Sequence, residues 1–154
     1  MTAVSVRRPL VMGVVNLTAD SFSDGGRFLD PATALSQARR LIDEGADILD
    51  LGAESTRPGA APVSAALELE RLLPLIASIR AVSDISISVD TMKPLVAQQA
   101  IAAGANIWND VTALTHDAKS PALAAALGCE VVLMLIRGEP RTMQDDPRYG
   151  DVVA

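Results

Sequence analysis

The feature that most constrains this chain is a repeated alternation of short apolar runs with longer amphipathic ones. Short apolar runs bounded by turn residues read as buried parallel strands, and apolar residues spaced three and four apart read as one face of a helix. Strands and helices in strict alternation specify an α/β protein with a parallel sheet. Leu10 to Asn16 is predicted as the first strand. Asp30-Pro31 then supplies an N-cap and a proline at the first helical position, and Leu35, Ala38, Leu41 and Ile42 share a helical face until Gly45 ends it. Asp47 to Gly52 is the second strand. Ser64 caps a second helix whose Leu67, Leu72, Leu75, Ile76 and Ile79 form a broad stripe, with Pro74 expected to kink it. Ile85 to Asp90, Lys93 to Ala103, Ala105 to Asp110, a helix from about Ala118 to Leu127, and Val131 to Ile136 continue the pattern.

A weak internal repeat marks two equivalent joints: Gly45-Ala46-Asp47-Ile48 and Gly104-Ala105-Asn106-Ile107 each carry a helix stop directly into a strand. No linker or composition shift separates the second helix from the fifth strand, so residues 1–154 read as part of one domain. Successive βα units build either a doubly wound sheet or an eight-stranded barrel, and strand counting does not choose between them. Both architectures place ligands at the C-terminal ends of the strands. Asn16, the Glu54-Ser55-Thr56-Arg57 run, Asp90, Asn109 and Arg137 all sit at or just beyond such ends. After Arg137-Gly138 a loop containing Pro140, Pro147 and Gly150 leads to Asp151-Val152-Val153-Ala154, which reads as the opening of another helix. Four and a half βα units are a little over half of a barrel of about 250 residues, so a truncated chain is expected.

Composition removes several function classes. With 154 residues, 49% hydrophobic and 21% charged, the chain suits a soluble globular fold, and no apolar run approaches the roughly 18 residues that span a bilayer. A formal charge of -6 argues against nucleic acid, although one local basic site can still bind a small anion. Cys129, the single cysteine, has no disulfide or metal-binding companion and reads as a small core residue beside a strand. Arg7 and Arg8 precede Leu10 to Val15, but Asn16 and Asp20 interrupt that run before a signal-peptide core develops, so a cytoplasmic location is expected.

Three segments carry candidate chemistry. Met12 to Phe28 runs a strand into a loop dense with hydroxyls, carboxylates and glycines; Asn16 offers an amide oxygen to a hard cation such as Mg2+, or merely satisfies the turn. Gly52 to Ala60 sets Thr56 beside Arg57 on a bend stiffened by Pro58 and Gly59. A guanidinium and a hydroxyl together suit a diphosphate, the alternative being a surface salt bridge from Arg57 to Glu54. In Ser86-Ile87-Ser88-Val89-Asp90-Thr91, period two groups Ser86, Ser88 and Asp90 on one face. Asn109 ends the next strand in the same way, while Trp108 points oppositely and is expected to pack under a helix. A carboxylate that accepts two parallel N–H bonds beside an amide that donates and accepts suits the edge of an aminopyrimidinone ring. The competing reading makes Asp90 a helix N-cap.

Taken together, these blocks resemble dihydropteroate synthases. Met12 to Phe28 is similar to the first signature of that family and Gly45 to Ala60 to the second. Ile87-Ser88-Val89-Asp90-Thr91, Asn109-Asp110-Val111, and Arg137-Gly138 with Thr142-Met143-Gln144 are similar to its later blocks, in the same order along nearly the whole chain. The resemblance implies a (β/α)8 barrel of which this chain holds about the first four and a half units. It implies a transferase of folate biosynthesis that joins 6-hydroxymethyl-7,8-dihydropterin diphosphate to 4-aminobenzoate and releases diphosphate. Asn16 would then help hold Mg2+, Thr56 and Arg57 would contact the diphosphate, and Asp90, Asn109 and Met134 would hold the pterin. Loss of diphosphate leaves a ring-stabilised pterin cation that the arylamine attacks, so no acid–base dyad or nucleophile is required. The resemblance also implies a homodimer for the full-length form.

The chain departs from the family pattern at Ala19, Ala53, Trp108 and Leu135-Ile136, the last pair near the pterin floor. A further pterin aspartate, a lysine, and a late arginine and histidine belong to the family's second half and have no counterpart here; His116 reads as a surface residue. Two other readings remain: a pterin-binding methyltransferase, which shares the barrel but needs no diphosphate loops, and a truncated chain that binds pterin without catalysis.

Overall fold

The structure, a computed structural model, describes residues 8–18, 31–55 and 61–134. Its elements alternate strictly: β1 (Met12–Asn16), α1 (Pro31–Asp43), β2 (Ile48–Gly52), α2 (Ala65–Arg80), β3 (Ser86–Asp90), α3 (Pro94–Ala102), β4 (Ile107–Asp110), α4 (Ser120–Leu127) and β5 (Glu130–Leu133). The predicted cap Asp30 and the predicted strand residues Leu135 and Ile136 lie outside the described residues.

All five strands are parallel and lie in the order β1-β2-β3-β4-β5. A doubly wound sheet reverses its strand order at a switch point; this one never does. Each helix packs against the next, α1 on α2, α2 on α3 and α3 on α4, so the layer of helices follows the sheet around one side. This is the arc of a (β/α)8 barrel, with five of its eight strands among the described residues.

Alternation along the strands decides what faces where. Val15, Leu49, Leu51, Ile87 and Val89 are buried with Ala34, Ala38, Leu72, Ile76, Ile79, Val96 and Ala100 of the helices, which makes this the outer, helix-covered face. Trp108 joins it, fully buried with Ala97 of α3 and Ala124 of α4, its indole N–H donating to the Thr91 carbonyl at 2.8 Å. The expectation that Trp108 packs under helices therefore holds. Asn16, Asp50, Gly52, Ser88, Asp90 and Asn109 then fall on the inner face.

Local rules explain the element ends. Ser64 caps α2, its Oγ accepting from the Leu67 N–H at 3.2 Å. The helix continues through Pro74 to Arg80, and the Ser78 hydroxyl donates to the Pro74 carbonyl at 2.8 Å. The two glycine joints are the same device. Gly45 (φ +99°) and Gly104 (φ +112°) occupy the left-handed region, and the following Ala46 and Ala105 N–H groups each reach back to a helix carbonyl at 3.0 Å. The equivalence extends one residue further. The Asp47 carboxylate accepts the Val11 N–H (2.8 Å) and Arg8, whereas the Asn106 amide oxygen accepts the Ile87 N–H (3.0 Å) and Arg80. One side chain at each joint thus pins the preceding strand to an arginine at the base of the barrel.

Candidate pterin and anion site

At the opposite, C-terminal ends of the strands, the register sets Asn16, Gly52, Asp90 and Asn109 side by side across four strands. Gly52 leaves a gap in this row: a Cβ there would lie 3.5 Å from Asn16 Oδ1 and 3.6 Å from Asp90 Oδ2. One layer below, Asp50 is 6% exposed, and both its oxygens accept from the Asn109 amide nitrogen at 3.3 Å. Beside Asp50 in the register lies Ser88, whose Oγ is buried with no hydrogen-bond partner among the described residues.

Asp90 does not cap α3. The residue preceding that helix is Lys93, with no side-chain cap bond. No described residue donates a hydrogen bond to the Asp90 carboxylate, and it is held in a cluster of acids. Burial first, then the charges of Asp50, Glu68, Asp110 and Glu54, push its carboxyl from the ordinary 3.8 up to about 7. A half-buried acid at the mouth of a barrel, with no donor to it among the described residues, is a candidate binding group.

Around this row the loops are tied down. Lys93 is ion-paired with both Glu54 and Glu68, Glu68 also accepts from the Thr91 hydroxyl at 2.9 Å, and Glu54 accepts the Val63 N–H at 3.0 Å. Burial raises the Glu68 carboxyl, against the opposing pull of Lys93 and Thr91. Burial lowers the Lys93 ammonium, but its bonds to the two glutamates outweigh that and hold it above the usual range. The result fixes the start of the β2–α2 loop against the β3–α3 loop, and the Thr91 N–H bonded to the Asn109 carbonyl at 3.0 Å extends the tie to β4. After β4, the Asp110 carboxylate accepts from Thr112 N–H, Thr112 hydroxyl and Leu114 N–H (2.7, 2.7 and 3.1 Å), stabilising left-handed Ala113 and Leu114. Asp110 also accepts the Met134 N–H on its carbonyl at 3.1 Å.

Of the residues singled out in the sequence, Asn16, Asp90 and Asn109 therefore share one row, and Met134 follows β5 in the phase of the inner face. Thr56 and Arg57 lie outside the described residues. Glu54, the alternative partner suggested for Arg57, is engaged by Lys93. His116 is exposed, and Cys129 packs half-buried against the Trp108 cluster. Sequence reasoning missed Asp50, Glu68 and Lys93. Glu68 did leave a signal, a charge on the same helical stripe as Leu72, Leu75 and Ile79. A hollow between α1 and α2, lined by Leu17, Ala34, Leu67 and Leu75 among others, contains none of the row residues.

This acidic, amide-bearing row lies at the C-terminal ends of the strands, the end at which parallel β/α barrels place their ligands. Residues 12–154 match the family of pterin-binding enzymes, and the chain belongs to that family. It is 47% identical over 147 residues to the dihydropteroate synthase of Synechocystis, covering 96% of this chain and 51% of that one. Among solved structures it is similar to Yersinia pestis dihydropteroate synthase in complex with a sulfonamide drug (TM-score 0.87, 42% identity, 95% of this chain and 53% of that one). It is also similar to the Xanthomonas albilineans dihydropteroate synthase with 4-aminobenzoic acid (TM-score 0.82, 45% identity, 97% and 52%). The chain thus spans about half the length of the relatives it matches.

Proposed function

We propose that this chain supplies the N-terminal portion of a cytoplasmic dihydropteroate synthase, which condenses 6-hydroxymethyl-7,8-dihydropterin diphosphate with 4-aminobenzoate and releases diphosphate. The observation that carries the reading is the half-buried Asp90 carboxylate, without a hydrogen-bond donor among the described residues, set beside Asn109 at the strand tips. A carboxylate takes two parallel N–H donors of an aminopyrimidinone edge, and the amide next to it fixes the ring's rotation. The membership of the pterin-binding family supports the same ligand. The methyltransferase reading shares the ring site, but the three relatives named above are dihydropteroate synthases.

The leaving group is assigned to the first two loops. Asn16 presents an amide oxygen at the strand tip, beside the Gly52 gap. That is a hard donor of the kind Mg2+ takes when one or two protein oxygens and substrate phosphates complete its shell. Asn16 would hold the ion there, and the ion would supply charge neutralisation of the departing diphosphate. Thr56 and Arg57 would bind the diphosphate itself. The chain's own work is positioning: Asp90 and Asn109 hold the ring while the anion-binding side favours departure of the diphosphate.

Calorimetry on bare and diphosphate-bearing pterins tests this division. Asp90→Ala should weaken both ligands tenfold or more, consistent with the roughly 1.5–3 kcal/mol of a charged hydrogen bond. Asn16→Ala and Arg57→Ala should weaken only the diphosphate-bearing ligand. A common profile for all three variants would refute the assignment.

A further inference from the structure

We infer that Asp50 is a specificity-determining residue of the ring site, acting through Asn109 by fixing which end of its amide faces the ligand; this rests on the pterin reading above. A carboxylate offers only acceptors, so the group that Asn109 turns toward Asp50 has to be its NH2. That is the arrangement present: Nδ2 lies 3.3 Å from both Asp50 oxygens, and Asp50 is buried, so turning its carboxylate away from Asn109 would strand a buried charge. The consequence concerns the other end of the amide. Oδ1 is directed away from Asp50, and no described residue donates to it. Asn109 therefore presents an acceptor to the site, and Asp90, one strand over in the same row, presents another.

An acceptor beside an acceptor selects a ligand edge with adjacent donors. A 2-amino-4-oxopteridine has one, its ring N3–H next to the 2-amino group. A 2,4-dioxopteridine of the same shape keeps the N3–H but places a carbonyl oxygen where the amino group was, so one of the two acceptors meets an acceptor. Leaving such a group unpaired costs far more than losing a neutral contact, because the site's own polar atoms then go unsatisfied as well. Without Asp50 the Asn109 amide is free to turn and offer NH2 to that carbonyl. Asp50 thus converts an ambivalent amide into a one-way reader.

The test is the ratio of dissociation constants for 6-hydroxymethylpterin and 6-hydroxymethyllumazine, measured by ligand-observed NMR on the 154-residue chain. The wild-type chain should favour the 2-amino ligand at least tenfold. Asp50→Asn, which keeps the shape but adds donors, should narrow the ratio to below threefold, and should change nothing further in an Asn109→Ala background. A merely structural Asp50 would weaken both ligands alike and leave the ratio intact, which would overturn the inference, as would a wild-type chain without preference. Wild-type protein that bound neither pteridine would refute the pterin reading itself. Should Asp50→Asn fail to fold, the ligand-free wild type decides: the Asn109 side-chain amide protons should exchange with water at least tenfold more slowly than those of Gln99, and fast exchange would refute the contact.

Discussion

At Asp90 no hydrogen bond among the described residues offsets the desolvation of the carboxylate, and this has a pH signature. Because its folded value of about 7 stands above the ordinary 3.8, the folded chain holds a proton between those limits that the unfolded chain releases. Stability contributed by this group is therefore present near pH 4 and falls as pH rises through about 7; Glu68, also raised, acts in the same direction. Asp90→Asn should match the wild type near pH 4 and be more stable by roughly 2–4 kcal/mol at pH 8 in urea denaturation. An equal pH slope in both proteins would show that Asp90 is not the titrating group. Ring donors favour the ionised form, so affinity for a bare pterin should rise from pH 6 to 8 in the wild type. The place of Asp90 and Asn109 at neighbouring strand tips was legible in the sequence because each is a polar residue at the end of an apolar strand. Asp50 was not: it sits inside its strand, and only the neighbouring register brings it under Asn109.

Among the elements, the helix stops and the loop ties each make a measurable claim. Gly104 has φ +112° and a Cβ there would press on the Arg80 side chain at 3.3 Å, so Gly104→Ala should cost about 1–2 kcal/mol of unfolding free energy. Lys93→Met would leave Glu68, fully buried, without its cation, and should cost roughly 3–5 kcal/mol; the double variant with Glu68→Leu should recover most of that loss. Additive losses in that cycle would contradict the coupling. The periodicity located every described strand and helix, and it erred at ends that tertiary bonds decide. Ala105, placed in the fourth strand by its apolar neighbours, gives its N–H to the cap of α3, and the Ile85 carbonyl accepts from Arg80 at 2.6 Å. Neither partner is near in the pattern that predicts strands.

For the whole molecule, barrel and doubly wound sheet were indistinguishable from alternation, because both repeat the same βα unit. Strand order separates them, and order is a long-range property that the sequential β1 to β5 register supplies. That register also leaves inner-face and edge residues open: Met12 and Val14 on β1, Val132 and Leu133 on β5, and Met134 beyond it are exposed. In a closed barrel such residues are covered by neighbouring strands. A polypeptide of these 154 residues alone should therefore associate in solution, and sedimentation should show species larger than one chain. Catalysis by positioning is lost when half of the positioning groups are missing.

The central claim, that the strand-tip row is half of a dihydropteroate-forming site, is tested most directly by product formation in a complementation assay. The 154-residue chain is mixed with the C-terminal part of the Synechocystis relative, and dihydropteroate is measured from the pterin diphosphate and 4-aminobenzoate. The account predicts product from the mixture, none from either part alone, and none when the chain carries Asp90→Ala. Product from the 154-residue chain by itself, or undiminished product with Asp90→Ala, would contradict it.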